Sequence, residues 1–169
     1  MKRFEHVHSK IINVSQAIQR AEAYRLVCEK VVFTNGCFDL LHLGHVTYLA
    51  QAASLGNKLF VAINDDVSVR ALGKEGNRPV NEEMARLLVI ASLGFVDHVV
   101  LFSEPTPLQL IEVIKPDYIV KGADYDANVL DRKDKRYIVG KHEASAWGGK
   151  VQTLPLVEGY STTSLLSKR

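Results

Sequence analysis

Short, nearly continuous apolar runs rich in Val and Ile recur along the chain, at Val31 to Thr34, Leu59 to Asn64, His98 to Phe102, Tyr118 to Lys121 and Val151 to Leu156. A run with no polar alternation suits a strand covered on both faces. Between these runs the spacing changes to that of a helix, at Val46, Leu49, Ala50 and Ala53, then at Leu87, Leu88 and Ala91, and again at Leu108, Ile111 and Ile114. A further helix, about Val14 to Glu29, precedes the first strand and is expected to pack outside the sheet.

Strand followed by helix, repeated, predicts an α/β protein, because parallel neighbours need a long return connection and that connection is right-handed. The expected architecture is a Rossmann-like three-layer α/β/α fold with a five-stranded parallel sheet. Punctuation agrees. Leu55-Gly56-Asn57 closes the first crossover helix, Pro107 suits a helix's first turn, and Lys115-Pro116-Asp117 ends a helix before a strand. The sequence contains no internal repeat, low-complexity tract or Pro/Ser-rich linker. The expectation is therefore one domain over residues 1–169, a length that can bury one proper core.

Composition narrows the partners. Lys and Arg total 21 against 19 Asp and Glu, a formal charge of only +2, and no block of like charge forms a nucleic-acid arm or a polybasic membrane patch. A small anionic ligand needs only a local cluster of cations. The first eight residues lack a leader's apolar core, and no apolar run approaches a membrane span, so a cytoplasmic location is expected. Cys28 and Cys37 make no disulfide framework and lack companions at zinc-finger spacing, so both are expected to be free thiols. The segment Asp131 to His142 is densely charged and reads as a solvated helix or loop, with a phosphate clamp or mobile flap as the minority reading.

In an open parallel sheet the ligand crevice lies beyond the carboxyl ends of the strands, where strand order reverses. The first strand runs into Thr34-Asn35-Gly36-Cys37-Phe38-Asp39-Leu40-Leu41-His42-Leu43-Gly44-His45. The glycines do not spell G-x-G-x-x-G, which disfavours a nicotinamide-dependent oxidoreductase. Instead, His42 and His45 stand at the expected start of a helix, where free N–H groups and the dipole favour a phosphate, and Gly44 lets a ligand come close. Taken alone, two histidines at this spacing fit a capping or core-packed pair, or a metal half-site, as well.

This block resembles the H-x-G-H signature of the cytidylyltransferase-like nucleotidyltransferase superfamily. From Val31 onward the chain is similar to the heptose 1-phosphate adenylyltransferases, which in many bacteria are fused to a heptose 7-phosphate kinase. Four blocks carry the resemblance: Phe33 to Asp39 with its histidines, Arg78-Pro79-Val80-Asn81, Lys121-Gly122-Ala123-Asp124-Tyr125, and Glu158-Gly159-Tyr160-Ser161-Thr162-Thr163. With no kinase half, the expectation is a stand-alone transferase. The stretch from Asp131 to Tyr137 looks longer than its family counterpart.

The resemblance implies transfer of AMP from ATP to heptose 1-phosphate with release of pyrophosphate, in supply of an activated heptose for lipopolysaccharide core or other surface glycan. Such a reaction is in-line attack on the α phosphorus, so positioning and charge neutralisation do most of the work. His42, His45 and Arg78 are then the catalytic candidates. Thr34, Asn35, Gly36, Phe38, Gly44, His45, Lys121, Gly122, Ser161, Thr162 and Thr163 are expected on the nucleotide, the last three as a helix-opening cap that can hold phosphates. Asp39, Asn64, Asp65, Lys74, Arg78 and Asp124 are expected on the sugar phosphate.

Some positions at the crevice keep alternatives. Asp39 can hold the loop instead, Asp65 or Asp66 can cap the next helix, and Arg86 can be either a phosphate ligand or a surface helix residue. Magnesium is expected on the triphosphate, with no all-protein metal site. A homo-oligomer, dimer or larger, is expected by resemblance. Two other readings stay open: a sister transferase acting on glycerol 3-phosphate, ethanolamine phosphate, pantetheine phosphate or flavin mononucleotide, and a non-catalytic nucleotide-binding subunit.

Overall fold

The computed structural model describes residues 2–71 and 78–160. Its elements run α1 (Arg3–His8), β1 (Ile11–Ile12), α2 (Val14–Leu26), β2 (Val31–Gly36), α3 (Leu43–Ala53), β3 (Lys58–Asn64), α4 (Asp66–Ala71), α5 (Glu83–Ala91), β4 (His98–Phe102), α6 (Leu108–Ile114), β5 (Tyr118–Gly122), α7 (Lys141–Ala144), a 3-10 turn (Ser145–Trp147) and β6 (Lys150–Leu154). The strands form one sheet in the order β1-β4-β3-β2-β5-β6, and every pairing is parallel.

The sheet has six strands where five were expected. The added strand, β1, is two residues long and pairs with the edge of β4, too short to produce an apolar run of its own. A second correction concerns the helix expected over Val14 to Glu29, which stops at Leu26. Cys28 takes φ 57°, in the left-handed region, and the chain turns there into β2.

Alternate residues of each central strand feed opposite cores, which explains why the runs look continuous. Phe33, Phe60, Ala62, Val100 and Ile119 face α2 and α6, packing with Ala17, Ala21, Leu110, Ile111 and Ile114. Val32, Leu59, Val61, Ile63, Val99 and Val120 face α3 and α5, packing with Leu49, Ala52, Leu87 and Ile90. Helix α2 enters through a capping box in which Asn13 Oδ1 accepts from the Gln16 amide at 2.9 Å and Gln16 Oε1 accepts from the Asn13 amide at 3.0 Å. At the foot of the sheet, Asp117 Oδ2 accepts from the Val31 amide and Asp97 Oδ2 from the Leu59 amide, each at 2.8 Å, fixing where β2 and β3 begin.

The charged segment is a run of turns with one ion pair of its own, Arg136 with Asp134 at 2.9 Å, and two to its flanks, Arg136 with Asp126 and Arg132 with Glu143 at 2.7 Å. Tyr137 and Ile138 within it are buried and anchor it to the core. Among the described residues, no helix is long and apolar enough to cross a membrane. Cys28 is exposed, Cys37 is half-buried and both are free thiols.

Candidate active site

Going outward from β2, the chain adds β3 and β4 on one side and β5 and β6 on the other. Strand order therefore reverses between β2 and β5, and the crevice expected of such a sheet opens at their carboxyl ends, Asn35-Gly36 and Lys121-Gly122. Lys121 joins the two ends: its Nζ donates to the Asn35 carbonyl at 3.1 Å and lies 5.0 Å from the centre of the Tyr125 ring. Burial pushes its ammonium down to about 8, against partial support from the Asp124 carboxylate.

The loop beyond β2 is built around Phe38, whose φ of 46° folds its ring back over Gly36, where an added Cβ would stand 3.1 Å from that ring. The Phe38 ring meets His45 edge-on at 5.3 Å between centroids. His42 caps α3: its Nδ1 accepts from the His45 amide at 3.3 Å. That acceptor role puts the proton of a neutral imidazole on Nε2, which becomes a donor. Desolvation lowers the pKa of His42, so it stays neutral at pH 7. The two imidazoles stack at 3.8 Å and 22°. Gly44 makes room for this, since a Cβ there would meet the His42 ring at 3.1 Å and the Tyr160 carbonyl oxygen at 3.4 Å. The chain thus returns at Tyr160 to the first turn of α3.

A second segment closes the site from the side. Asp39, 4% exposed, accepts through Oδ1 from the amides of Val80 (2.8 Å) and Asn81 (3.0 Å), and its carbonyl accepts from Asn81 Nδ2 at 2.7 Å. Arg78 is two residues from these bonds and half-buried. Arg78 Nε, Asn35 Oδ1 and Asp39 Oδ2 are enclosed with no partner among the described residues. Enclosed polar atoms without partners are costly, and a ligand supplying partners would relieve that cost. His98 Nδ1 and Glu143 Oε2 share this state far from the crevice.

Several expected site residues have other work. The Thr34 side chain is fully buried; Tyr48 OH donates to the Val120 carbonyl at 2.9 Å, so Thr34 Oγ1 donates to Tyr48 at 2.7 Å, and its hydroxyl is spent inside the sheet. Asp65 caps α4, accepting from the Ser68 amide at 2.7 Å and from the Ser68 hydroxyl, whose bond lowers the Asp65 pKa. Asn64 is buried at the end of β3. Asp124 is exposed next to Gly122, where a Cβ would strike its Oδ1 at 2.6 Å. Lys74, Ser161, Thr162 and Thr163 lie outside the described residues.

Arg86 corrects both alternatives offered for it. It is 1% exposed, and its guanidinium donates to the Asn81 carbonyl (3.0 Å), the Cys37 carbonyl (2.7 Å) and Asp66 Oδ1 (2.7 Å). A charged residue in an amphipathic helix defaults to the surface, so only the distant carbonyls it meets could have revealed this. Tyr48, one turn after His45 on α3, was also missed. Among the described residues, no group of three or more His, Cys, Asp or Glu is placed to hold a metal ion.

A doubly wound parallel sheet with an H-x-G-H turn at its switch point is the framework of a nucleotidyltransferase. The chain belongs to the cytidylyltransferase-like family, whose model matches residues 33–167. It is 45% identical over 160 residues to the bifunctional protein HldE of Koribacter versatilis (strain Ellin345), covering 95% of this chain and 31% of that protein. It is 44% identical over 168 residues to the bifunctional protein HldE of Pseudomonas fluorescens (strain SBW25), covering 99% of this chain and 34% of that one. The chain thus spans about a third of the length of these relatives.

Among solved structures, it is similar to the lipopolysaccharide core biosynthesis protein from Thermoplasma volcanium GSS1, with a TM-score of 0.59, 29% identity and coverage of 79% of this chain and 99% of that one. The pantoate-beta-alanine ligase from Francisella tularensis, at 16% identity and a TM-score of 0.60 over 86% of this chain and 66% of that one, shares the fold.

Proposed function

We propose that this chain transfers AMP from ATP to D-glycero-D-manno-heptose 1-phosphate, giving ADP-heptose and pyrophosphate for lipopolysaccharide core or other surface glycan, in the cytoplasm. The observation that carries the reading is the set of cations and donors at one switch point. His42 and His45 stand on the first turn of α3, Lys121 closes the end of β5, and Arg78 has an enclosed guanidinium nitrogen with no partner among the described residues. Similarity to HldE proteins over nearly the whole chain, and to a lipopolysaccharide core biosynthesis protein, supports the sugar phosphate as acceptor.

In this mechanism a phosphate oxygen of the acceptor attacks the α phosphorus in line with the leaving pyrophosphate, and no covalent enzyme intermediate is needed. Neutral His42 donates through Nε2 and His45 from its place against Phe38, both toward the oxygens on which charge grows. The free amides of the first turn of α3 add to that field. Lys121 serves the nucleotide, and Arg78, with its planar fork, holds a phosphate. Asp39 holds the Arg78 segment more directly than it holds a sugar. Magnesium would enter with the triphosphate and would supply charge neutralisation there, beside Lys121 and Arg78. The protein assembles as a dimer or larger oligomer.

The test crosses ATP, CTP and GTP against heptose 1-phosphate, glycerol 3-phosphate, ethanolamine phosphate, pantetheine phosphate and flavin mononucleotide, with pyrophosphate release as the readout. Release confined to ATP with heptose 1-phosphate is expected. Equal release with another acceptor would move the protein to a sister reaction, and ATP binding without release from any pair would make it a non-catalytic binder.

A further inference from the structure

The Arg86 guanidinium joins three separate segments, the loop after β2 through Cys37, the segment before α5 through Asn81, and the start of α4 through Asp66. Each of its three nitrogens meets a different segment, and the side chain of Arg86 is wholly removed from solvent while that of Asp66 is 17% exposed. A buried cation with one carboxylate and two carbonyls gains little net stability over a well-packed apolar residue. What it does supply is a fixed distance between the three segments.

Asp39 makes the reciprocal link. Its carboxylate and carbonyl take the Val80 amide, the Asn81 amide and the Asn81 side chain, while the Asn81 carbonyl takes Arg86 Nε. The backbone of Val80 and Asn81 is therefore tied from two sides while the Val80 side chain stays half exposed, and Arg78 sits two residues before Val80 with its Nε enclosed and lacking a partner among the described residues. A cleft of ≈ 260 Å³ lies over this clamp, lined by Asp39, Asn81 and Arg86 with Leu41 and Val89.

We infer that Arg86 is a positioning residue, which with Asp39 and Asn81 latches the Arg78 segment to the histidine-bearing loop, so that Arg78 meets the substrate phosphate at a set distance from His42 and His45. This rests on the phosphate-binding role proposed for Arg78. Lysine cannot replace Arg86, because an ammonium is a point charge without the planar fork that reaches three acceptors at once.

The test is a double-substitution cycle of wild type, Arg78→Ala, Arg86→Lys and the double variant, measured as kcat and KM in pyrophosphate release. For the phosphate substrate whose KM rises in Arg78→Ala, Arg86→Lys should raise KM about tenfold with a smaller change in kcat, and should add almost nothing once Arg78 is Ala, because residues that act as one unit are not additive. An undiminished effect in the Arg78→Ala background, or a loss confined to melting temperature, overturns the latch. If Arg86→Lys does not fold, Asn81→Ala enters the same cycle, with the same two outcomes. Wild type silent with every acceptor would sink the proposed reaction instead. The latch would then be read by hydrogen exchange: the Val80 and Asn81 amides should open about tenfold faster in Arg86→Lys, and unchanged protection overturns it.

Discussion

At the scale of single residues, burial sets the charge state of the groups the reaction would use. Lys121 is enclosed between the ends of β2 and β5, and its ammonium is pushed down to about 8 from 10.5. Above about pH 8 the free protein therefore loses a cation from the crevice. The kcat/KM for ATP, which reports the free enzyme, should fall with an apparent pKa near that value. Lys121→Met should be weak at every pH and lack this limb. A limb that persists in the methionine variant would assign it to another group. The same shift acts on stability: between pH 8 and 10.5 the unfolded chain holds the proton more tightly, so Lys121 makes stability rise with pH across that window.

His98 works in the opposite corner of the sheet and in a lower window. Its Nε2 is 2.7 Å from the Tyr24 hydroxyl, its Nδ1 is enclosed with no partner among the described residues, and burial lowers its pKa to about 4 from 6.5. Below pH 6.5 the unfolded chain takes up a proton that the folded one refuses. Stability contributed by neutral His98 is therefore fully present above 6.5 and is lost as pH falls toward 4. Chemical denaturation at pH 7 and pH 4.5 should show wild type losing more stability than His98→Gln, and equal losses would mean that His98 titrates normally.

At the scale of elements, the first turn of α3 sets two demands against each other. Glycine inside a helix costs roughly 0.5–1 kcal/mol relative to alanine. Gly44 occupies the second position of α3 all the same, because a Cβ there would press on the His42 ring at 3.1 Å. Gly44→Ala should thus keep or slightly raise the melting temperature while turnover falls at least about tenfold, through displacement of a pre-organised donor. Normal turnover in that variant would show that the His42 ring can shift without consequence. The opposite pattern is expected where glycine serves only the fold: Gly140, at φ 88°, lies against Ile111 and Ile119 and lets the chain enter α7.

These cases show which features can be read from sequence. The β2 to β5 runs are legible because strands covered on both faces leave an unbroken apolar signature, β6 is a weaker case because it lies at the sheet edge with only Leu154 buried, and the H-x-G-H turn is legible because its spacing is local. Strand β1 is not, since two residues carry no period. Nor is the role of Arg86, whose partner at Cys37 lies 49 residues away in the chain, while for Asp39 holding the loop is one of the two readings the sequence leaves open. For Asp65 the sequence leaves sugar contact and helix cap open, and the Ser68 geometry supplies the cap.

For the molecule as a whole, substrate binding and folding are linked. Any ligand that binds only the folded chain at a hundred times its Kd adds about 2.7 kcal/mol of stability. For a chain of this length that is a rise in melting temperature of roughly 5–10 °C. Because the described residues offer no cluster of metal ligands, magnesium alone should leave the melting temperature unchanged, ATP with magnesium should raise it, and chelation should reverse the difference and stop pyrophosphate release. The comparison separates three proteins with the same fold. A rise with magnesium alone would mean that the ion is held by the chain itself, including residues beyond those described. A rise with ATP and magnesium but no pyrophosphate from any acceptor would leave a binder in which the histidines, the Arg78 latch and Lys121 hold a nucleotide they do not turn over. A rise together with pyrophosphate release would show that one crevice, at the place where the strand order reverses, both binds and reacts.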